Sequence, residues 1–160
     1  NNIAWFLRRF PLFPVVGSGN YQIQPVYVED LAELVVYACH QDTNLILDAV
    51  GPETYTFVDL VRLIAENIRS RAMVVRVPPG LGLMLASLIG YMVRDAVLTR
   101  DEMEGLMAGL LLSDGPSTGQ TRLSHWLEQN RESEGIRYAS ELRRHYDSYR
   151  CLIPTAEIGR

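Results

Sequence analysis

Along the chain, apolar residues recur at helical spacing in several blocks, separated by short β-rich runs and by proline and glycine. The segment Ile3-Ala4-Trp5-Phe6-Leu7-Arg8-Arg9-Phe10 reads as the end of a helix, stopped by Pro11 and Pro14. Phe13 to Val16 and Tyr21 to Val28 are β-rich, and the intervening Gly17-Ser18-Gly19-Asn20 predicts a hairpin between them. Pro25 places the second run at an edge or a bulge. Asp30, with Glu33 three positions on, predicts a capped helix carrying Leu31, Leu34, Val35 and Ala38 on one stripe. Leu45 to Val50, ended by Gly51-Pro52, suits a buried strand. Thr56 and Asp59 cap the next helix, with Phe57, Leu60, Val61, Ile64 and Ile68 at clean helical spacing.

Met73 to Val77 then predicts a brief strand ended by Pro78-Pro79, and Gly80 to Val93 an apolar helix. Thr99 and Glu102 form a capping pair ahead of Met103, Leu106, Met107 and Leu110. Ser113 to Gly119 is the most loop-like internal stretch, and Leu123 to Asn130 and Ala139 to Tyr149 read as two closing helices. The whole is the pattern of an α/β chain with two or three short strands and about seven helices.

Composition narrows the chemistry. With 48% hydrophobic and 21% charged residues, the 160-residue chain is globular rather than disordered. Its net charge of −4 leaves no basic field for a nucleic-acid backbone. All fifteen cations are arginine, so a Schiff base, a Walker A lysine and a Tyr/Lys dyad are each excluded within these residues. Cys39 and Cys151 form no close-spaced motif, which points to free thiols and a reducing, cytoplasmic setting. The chain starts at Asn1 without a charged leader, so secretion has no support, and we expect it to be a piece of a longer protein.

Three features invite functional readings and have simpler ones. Gly17-x-Gly19 is followed by a strand, whereas a phosphate-cradling loop needs a helix N-terminus at that point. His40, His125 and His145 are scattered, and Asp101, Glu102 and Glu104 sit where a helix dipole favours acids, so no metal site is expected. Gly80 to Val93 would extend about 21 Å as a helix, short of a roughly 30 Å bilayer core, so no transmembrane segment is expected. That helix is expected to be buried. Its Leu83-Met84 to Tyr91-Met92 stretch suits core, a protein interface or a ligand wall.

The segment Gln22-x-Gln24-Pro25-Val26-Tyr27-Val28-Glu29-Asp30-Leu31-Ala32 is the most informative. With Gly17-x-Gly19 before it and Gly51-Pro52-Glu53-x-Tyr55-Thr56 after it, the order resembles the C-terminal half of an extended or atypical short-chain dehydrogenase/reductase. The branch it is most similar to includes the complex I accessory subunit of the 39-kDa type. The resemblance runs from Asn1 to Leu112 and thins beyond Ser113.

The resemblance implies the C-terminal, substrate-side part of a Rossmann-like NAD(P)-binding fold over residues 1–112, including a small helical subdomain. A linker and C-terminal helices would follow over 113–160. It implies NAD or NADP in the intact parent, with a small-molecule substrate that is an apolar carbonyl or quinone-like compound. By the same analogy Gln24 and Tyr27, with Trp5 and Arg8 of the first helix, line the substrate and cofactor side, while Asp30 caps its helix. No catalytic residue is assigned here, because the family's glycine-rich turn has no match and its Tyr-x-x-x-Lys dyad requires a lysine. The fragment alone is therefore expected to hold neither cofactor tightly. The alternative is a non-enzymatic NAD(P)-binding scaffold or assembly module that uses its apolar helices for protein contacts. Either way, the apolar strand Leu45 to Val50, cut from its sheet, and the apolar stretch Gly80 to Val93 are expected to drive homo-oligomerisation.

Overall fold

The computed structural model describes residues 1–140 and residue 142. Their order is α1 (Asn2–Arg9), β1 (Leu12–Val16), β2 (Gln22–Ile23), α2 (Val28–Cys39), β3 (Tyr55–Thr56), α3 (Phe57–Asn67), β4 (Met73–Val77), α4 (Pro79–Val93), α5 (Arg100–Met107) and α6 (Leu123–Asn130). The fold is α/β. β1 and β4 pair in parallel, with Leu12 opposite Met73 and Val16 opposite Val77. This small parallel unit with helices around it is consistent with part of a Rossmann-like domain. β2 and β3 form a separate antiparallel pair, Gln22 opposite Thr56. Most of the helix expected from Ala139 to Tyr149, with His145 in it, and Cys151 lie outside the described residues.

α3 is the organising helix. Thr56 Oγ1 accepts from the Asp59 N–H at 3.1 Å, as the capping signature predicts. Leu60, Val61, Ile64, Ala65 and Ile68 are buried against Ala4 and Leu7 of α1, Ile23 of β2 and Leu127 of α6. Val61 is fully buried at 0% exposure. The helix ends in a Schellman arrangement: Ser70 N–H donates to the Ala65 carbonyl at 2.8 Å and Arg69 N–H to Glu66 at 3.1 Å. That ending puts Arg69 at φ 55, a left-handed conformation that costs a side-chain-bearing residue about 1 kcal/mol or more. Arg69→Gly is therefore expected to stabilise the chain by up to about 1 kcal/mol. A urea midpoint that falls instead of rising would count against this ending.

Four expectations need correction. The first is the hairpin: β1 continues its ladder to β4, with the Gly17 N–H donating to the Val77 carbonyl at 2.8 Å. The chain then turns through Gly17 and Gly19, both at positive φ, and runs to β3 instead. The turn goes there because it completes α3. Phe57 N–H donates to the Tyr21 carbonyl at 3.0 Å and Val58 N–H to the Gly19 carbonyl at 3.1 Å. These are donors that a helix start leaves without an internal partner. A Cβ at Gly19 would lie 2.4 Å from Val58 Cγ2, so the contact needs glycine.

The second correction is at Leu45 to Val50, which forms no strand. Its backbone finds no ladder partner among the described residues. It is tied down from Asp48 to Val50: Val50 N–H donates to Thr118 Oγ1 at 3.0 Å, the Val50 carbonyl accepts from the N–H groups of Thr118 at 3.0 Å and Gly119 at 2.8 Å, and Asp48 accepts from the Thr118 and Ser113 hydroxyls at 2.8 and 2.6 Å. Ile46 is 96% exposed.

Third, Asp30 does not cap its helix. α2 begins two residues earlier, at Val28, with Tyr27 at the N-cap position and no side-chain cap bond. Fourth, α4 is a helix but not a buried one. Only its small residues Gly82, Ala86 and Gly90 are buried, one turn apart, while Tyr91 is 85% exposed and Met84, Leu88 and Met92 also face out. Small residues let one face approach β1 closely and leave the bulky residues on the other.

Candidate functional site

The four residues that sequence resemblance places at a ligand fall in two places. Gln24 follows β2. Its backbone N–H donates to the Leu111 carbonyl at 2.9 Å, and its side-chain Nε2 donates to the Gly51 carbonyl at 2.8 Å. Gly51 is forced to be glycine there, since a Cβ would lie 2.1 Å from the Pro25 carbonyl oxygen. Gln24 thus lines an open cavity of about 530 Å³ with Asp48, Val50, Leu111 and Ser113. Tyr27 turns the other way, and its ring lies 6.3 Å from that of Trp126.

Trp5 and Arg8 belong to a different junction. Trp5 meets Tyr138 edge-on at 5.1 Å and carries the Arg9 guanidinium 4.4 Å above its ring. Arg8 Nε donates to the Glu134 carbonyl at 2.8 Å and its Nη2 to the Arg131 carbonyl at 2.9 Å. Both side chains hold the stretch after α6 against α1. The structure does not bring them to Gln24 and Tyr27.

Two carboxylates hold neighbouring segments in place. Asp30 Oδ2 accepts from the N–H groups of Gln120 at 2.8 Å and Thr121 at 2.7 Å, and Oδ1 accepts from the Thr121 hydroxyl at 2.9 Å. The Thr121 backbone bond does most to hold the Asp30 carboxyl below its ordinary range, helped by the Thr121 hydroxyl and the Gln120 N–H. Glu53 accepts from the Tyr55 hydroxyl at 2.7 Å, from the Ser124 N–H at 3.0 Å and from the Ser124 hydroxyl at 2.7 Å. It supplies a negative charge in the first turn of α6, where the helix dipole favours one. The sequence pattern marked Asp30 as a cap and Glu53 only as part of a motif. Apart from Tyr55, two positions from Glu53, their partners lie 71 to 91 positions away, beyond any local spacing rule.

A third place was not foreseen from sequence. An apolar cavity of about 630 Å³ lies among α1, β1, β4, α4 and α5, with Phe6, Phe13, Leu85, Ile89 and Met103 in its wall. Tyr21, read from the pattern only as the start of a strand, also lines it.

The turn at Gly17-x-Gly19 does not fit the pyrophosphate of a dinucleotide. The helix start nearest Gly17-x-Gly19 is that of α3, and its N–H groups are already taken by the Gly19 and Tyr21 carbonyls and by Thr56 Oγ1. Among the described residues, no three His, Cys, Asp or Glu side chains gather as a metal site. Cys39 carries a free, exposed thiol at the end of α2. No described helix is long and apolar enough to cross a membrane.

No protein-family model matches the chain. Among curated proteins, it is similar to "NADH dehydrogenase [ubiquinone] 1 alpha subcomplex subunit 9, mitochondrial" of Arabidopsis thaliana. Identity is 25% over 125 residues, which cover 71% of this chain and 31% of the relative. The chain therefore spans about a third of the length of the curated relative it matches. This likeness points the same way as the resemblance to short-chain dehydrogenase/reductases, at the coarse level of the superfamily.

Proposed function

We propose that this chain is the substrate-side part of a Rossmann-like NAD(P)-binding protein that serves as an assembly module rather than as a reductase. The observation that carries the reading is α2. It has twelve residues, an apolar stripe and not one buried side chain. Val35, Val36 and Tyr37 are each more than half exposed, and the extended segment around Ile46 is open beside them in sequence. A helix and an extended segment of this kind normally cover and extend a sheet. Here they offer apolar surface and unpaired backbone to another polypeptide layer. The subunit named in the relative's description supports an assembly role. The absence of lysine, and hence of a Tyr-x-x-x-Lys dyad, fits it within these residues.

In this reading NAD or NADP is held by the remainder of the parent, and the chain alone uses the α2 surface to self-associate. Sedimentation velocity across a wide concentration range tests it. The chain is expected to dimerise or go further, and Val35→Asp with Ile46→Asp to weaken association at least tenfold. A monomer at every concentration would remove the main support for an assembly module.

A further inference from the structure

The apolar cavity lies apart from the α2 surface, and four observations define what it would take. Its volume of about 630 Å³ falls within the roughly 300–1,000 Å³ of pockets that hold small organic ligands. It is bridged rather than collapsed, because α4 is held at both ends. At one end Gly82 sits on Val16, where a Cβ would come within 2.5 Å of Cγ2. At the other, Gly90 lies against the Asp95 carbonyl, and Asp95 Oδ2 accepts from the Tyr138 hydroxyl at 2.9 Å beside α1.

Among the described residues, the wall carries four polar side chains, Asn2, Tyr21, Glu102 and Tyr138, and no cation. Three of them are engaged within the protein. Asn2 exchanges hydrogen bonds with the Ala139 backbone at 2.8 and 2.9 Å. Glu102 Oε2 accepts from the Thr99 N–H at 2.8 Å and from its hydroxyl at 2.9 Å. Tyr138 donates to Asp95. The Tyr21 hydroxyl has no hydrogen-bond partner among the described residues. Its ring is nevertheless fixed, stacked on Phe57 at 5.4 Å, and its own carbonyl accepts from the Phe57 N–H. Partial burial pushes the Tyr21 phenol above its ordinary value, so the hydroxyl remains a neutral donor.

We propose that this cavity binds a neutral apolar molecule with one carbonyl acceptor, and that the Tyr21 hydroxyl donates to that acceptor. Charge decides the headgroup. A fatty carboxylate or a phosphate would enter an apolar space that offers no arginine among the described residues and already holds the Glu102 carboxylate. A carbonyl asks only for one donor, and one donor is available.

The test uses this chain with 13C-methyl-labelled methionine, titrated with 2-decanone and, separately, with decanoate. Met103 lines the cavity, while Met84 and Met92 face outward and report non-specific binding. With 2-decanone, the Met103 methyl is expected to shift saturably while those of Met84 and Met92 stay still. Decanoate is expected to bind at least tenfold more weakly. Tyr21→Phe, which keeps the ring and its stacking, should weaken 2-decanone about three- to tenfold, and Leu85→Trp should abolish the Met103 shift by filling the space. The proposal is overturned if Met103 does not move up to the solubility limit, if all three methyls move together, or if decanoate binds equally well. Unchanged 2-decanone affinity in Tyr21→Phe would also overturn it. None of these outcomes depends on self-association through α2.

Discussion

Replacing Gly135 by alanine should lower the melting temperature of this chain by roughly 10 °C, from a loss of about 3 kcal/mol. Two costs combine. Gly135 has φ +70, a region in which a side-chain-bearing residue loses about 1–2 kcal/mol. Its Cβ would also lie 2.5 to 2.7 Å from the Ala4 carbonyl carbon and oxygen and the Trp5 nitrogen. Those atoms are α1 backbone, and Ala4 is part of the core, so nothing flexible can give way. The segment would have to lift off α1, loosening the Gly135 N–H bond to Asn1 Oδ1 at 2.9 Å and the Arg8 bonds to the carbonyls of Arg131 and Glu134. Gly80→Ala is the control. No atom lies within 4 Å of that Cβ, and in the first turn of α4 alanine is the better helix former, so the variant should melt at or above the parent. Equal melting of Gly135→Ala and the parent would mean that residues 131–139 do not rest on α1.

Local patterns were legible where both partners of an interaction lie within one turn or one strand. Thr56 and Thr99 cap α3 and α5 as their spacing predicts, and the Thr99–Glu102 box is complete in both directions. The α3 stripe of Leu60, Val61, Ile64 and Ile68 forms the core. What failed was pairing at a distance. Gly-Ser-Gly-Asn has the composition of a hairpin loop, yet it serves the start of α3, 39 positions after Gly19 in the case of Val58. The apolar character of Leu45 to Val50 and of α2 implied burial, but nothing in one sequence says whether the covering layer lies in the same chain. α4 shows the same limit in another form. Its mean composition is that of a buried helix, whereas the placement of Gly82, Ala86 and Gly90 gives it only one narrow packing face. The candidate ligand residues followed from resemblance. Gln24, Tyr27, Trp5 and Arg8 each have close partners in the structure, but at separate junctions. Tyr21 had no motif at all, and only the three-dimensional arrangement sets it in the cavity wall.

Glu53→Ala should cost about 2 kcal/mol at neutral pH, less than three full charged hydrogen bonds because solvent reaches the site. The variant leaves the Tyr55 hydroxyl and both donors of Ser124 without their acceptor, and removes the negative charge at the start of α6. Its pH dependence separates a charged clamp from simple packing. Partial burial pushes the Glu53 carboxyl up, but the backbone and hydroxyl bonds of Ser124, the Tyr55 hydroxyl and the charge of Arg122 outweigh it and hold the carboxyl below its ordinary value of 4.5. A depressed carboxyl stabilises the fold fully above its unfolded value and loses that contribution as pH falls through the folded one. The gap between parent and Glu53→Ala should therefore be widest near neutrality and shrink below pH 4.5. Tyr55 gives the complementary reading at high pH. Burial first, then the hydrogen bond and charge of Glu53, push its phenol up to about 12. A raised phenol stabilises the fold below its unfolded value of 10.0 and loses that contribution as pH rises through about 12. Removing Glu53 should bring this phenol partly back toward 10.0, because burial remains while the carboxylate is gone. Urea midpoints from pH 3 to 8, with an ultraviolet titration of the tyrosines, measure both. A gap between the variants that stays constant across the acid range would show that Glu53 acts through packing and not through its charge.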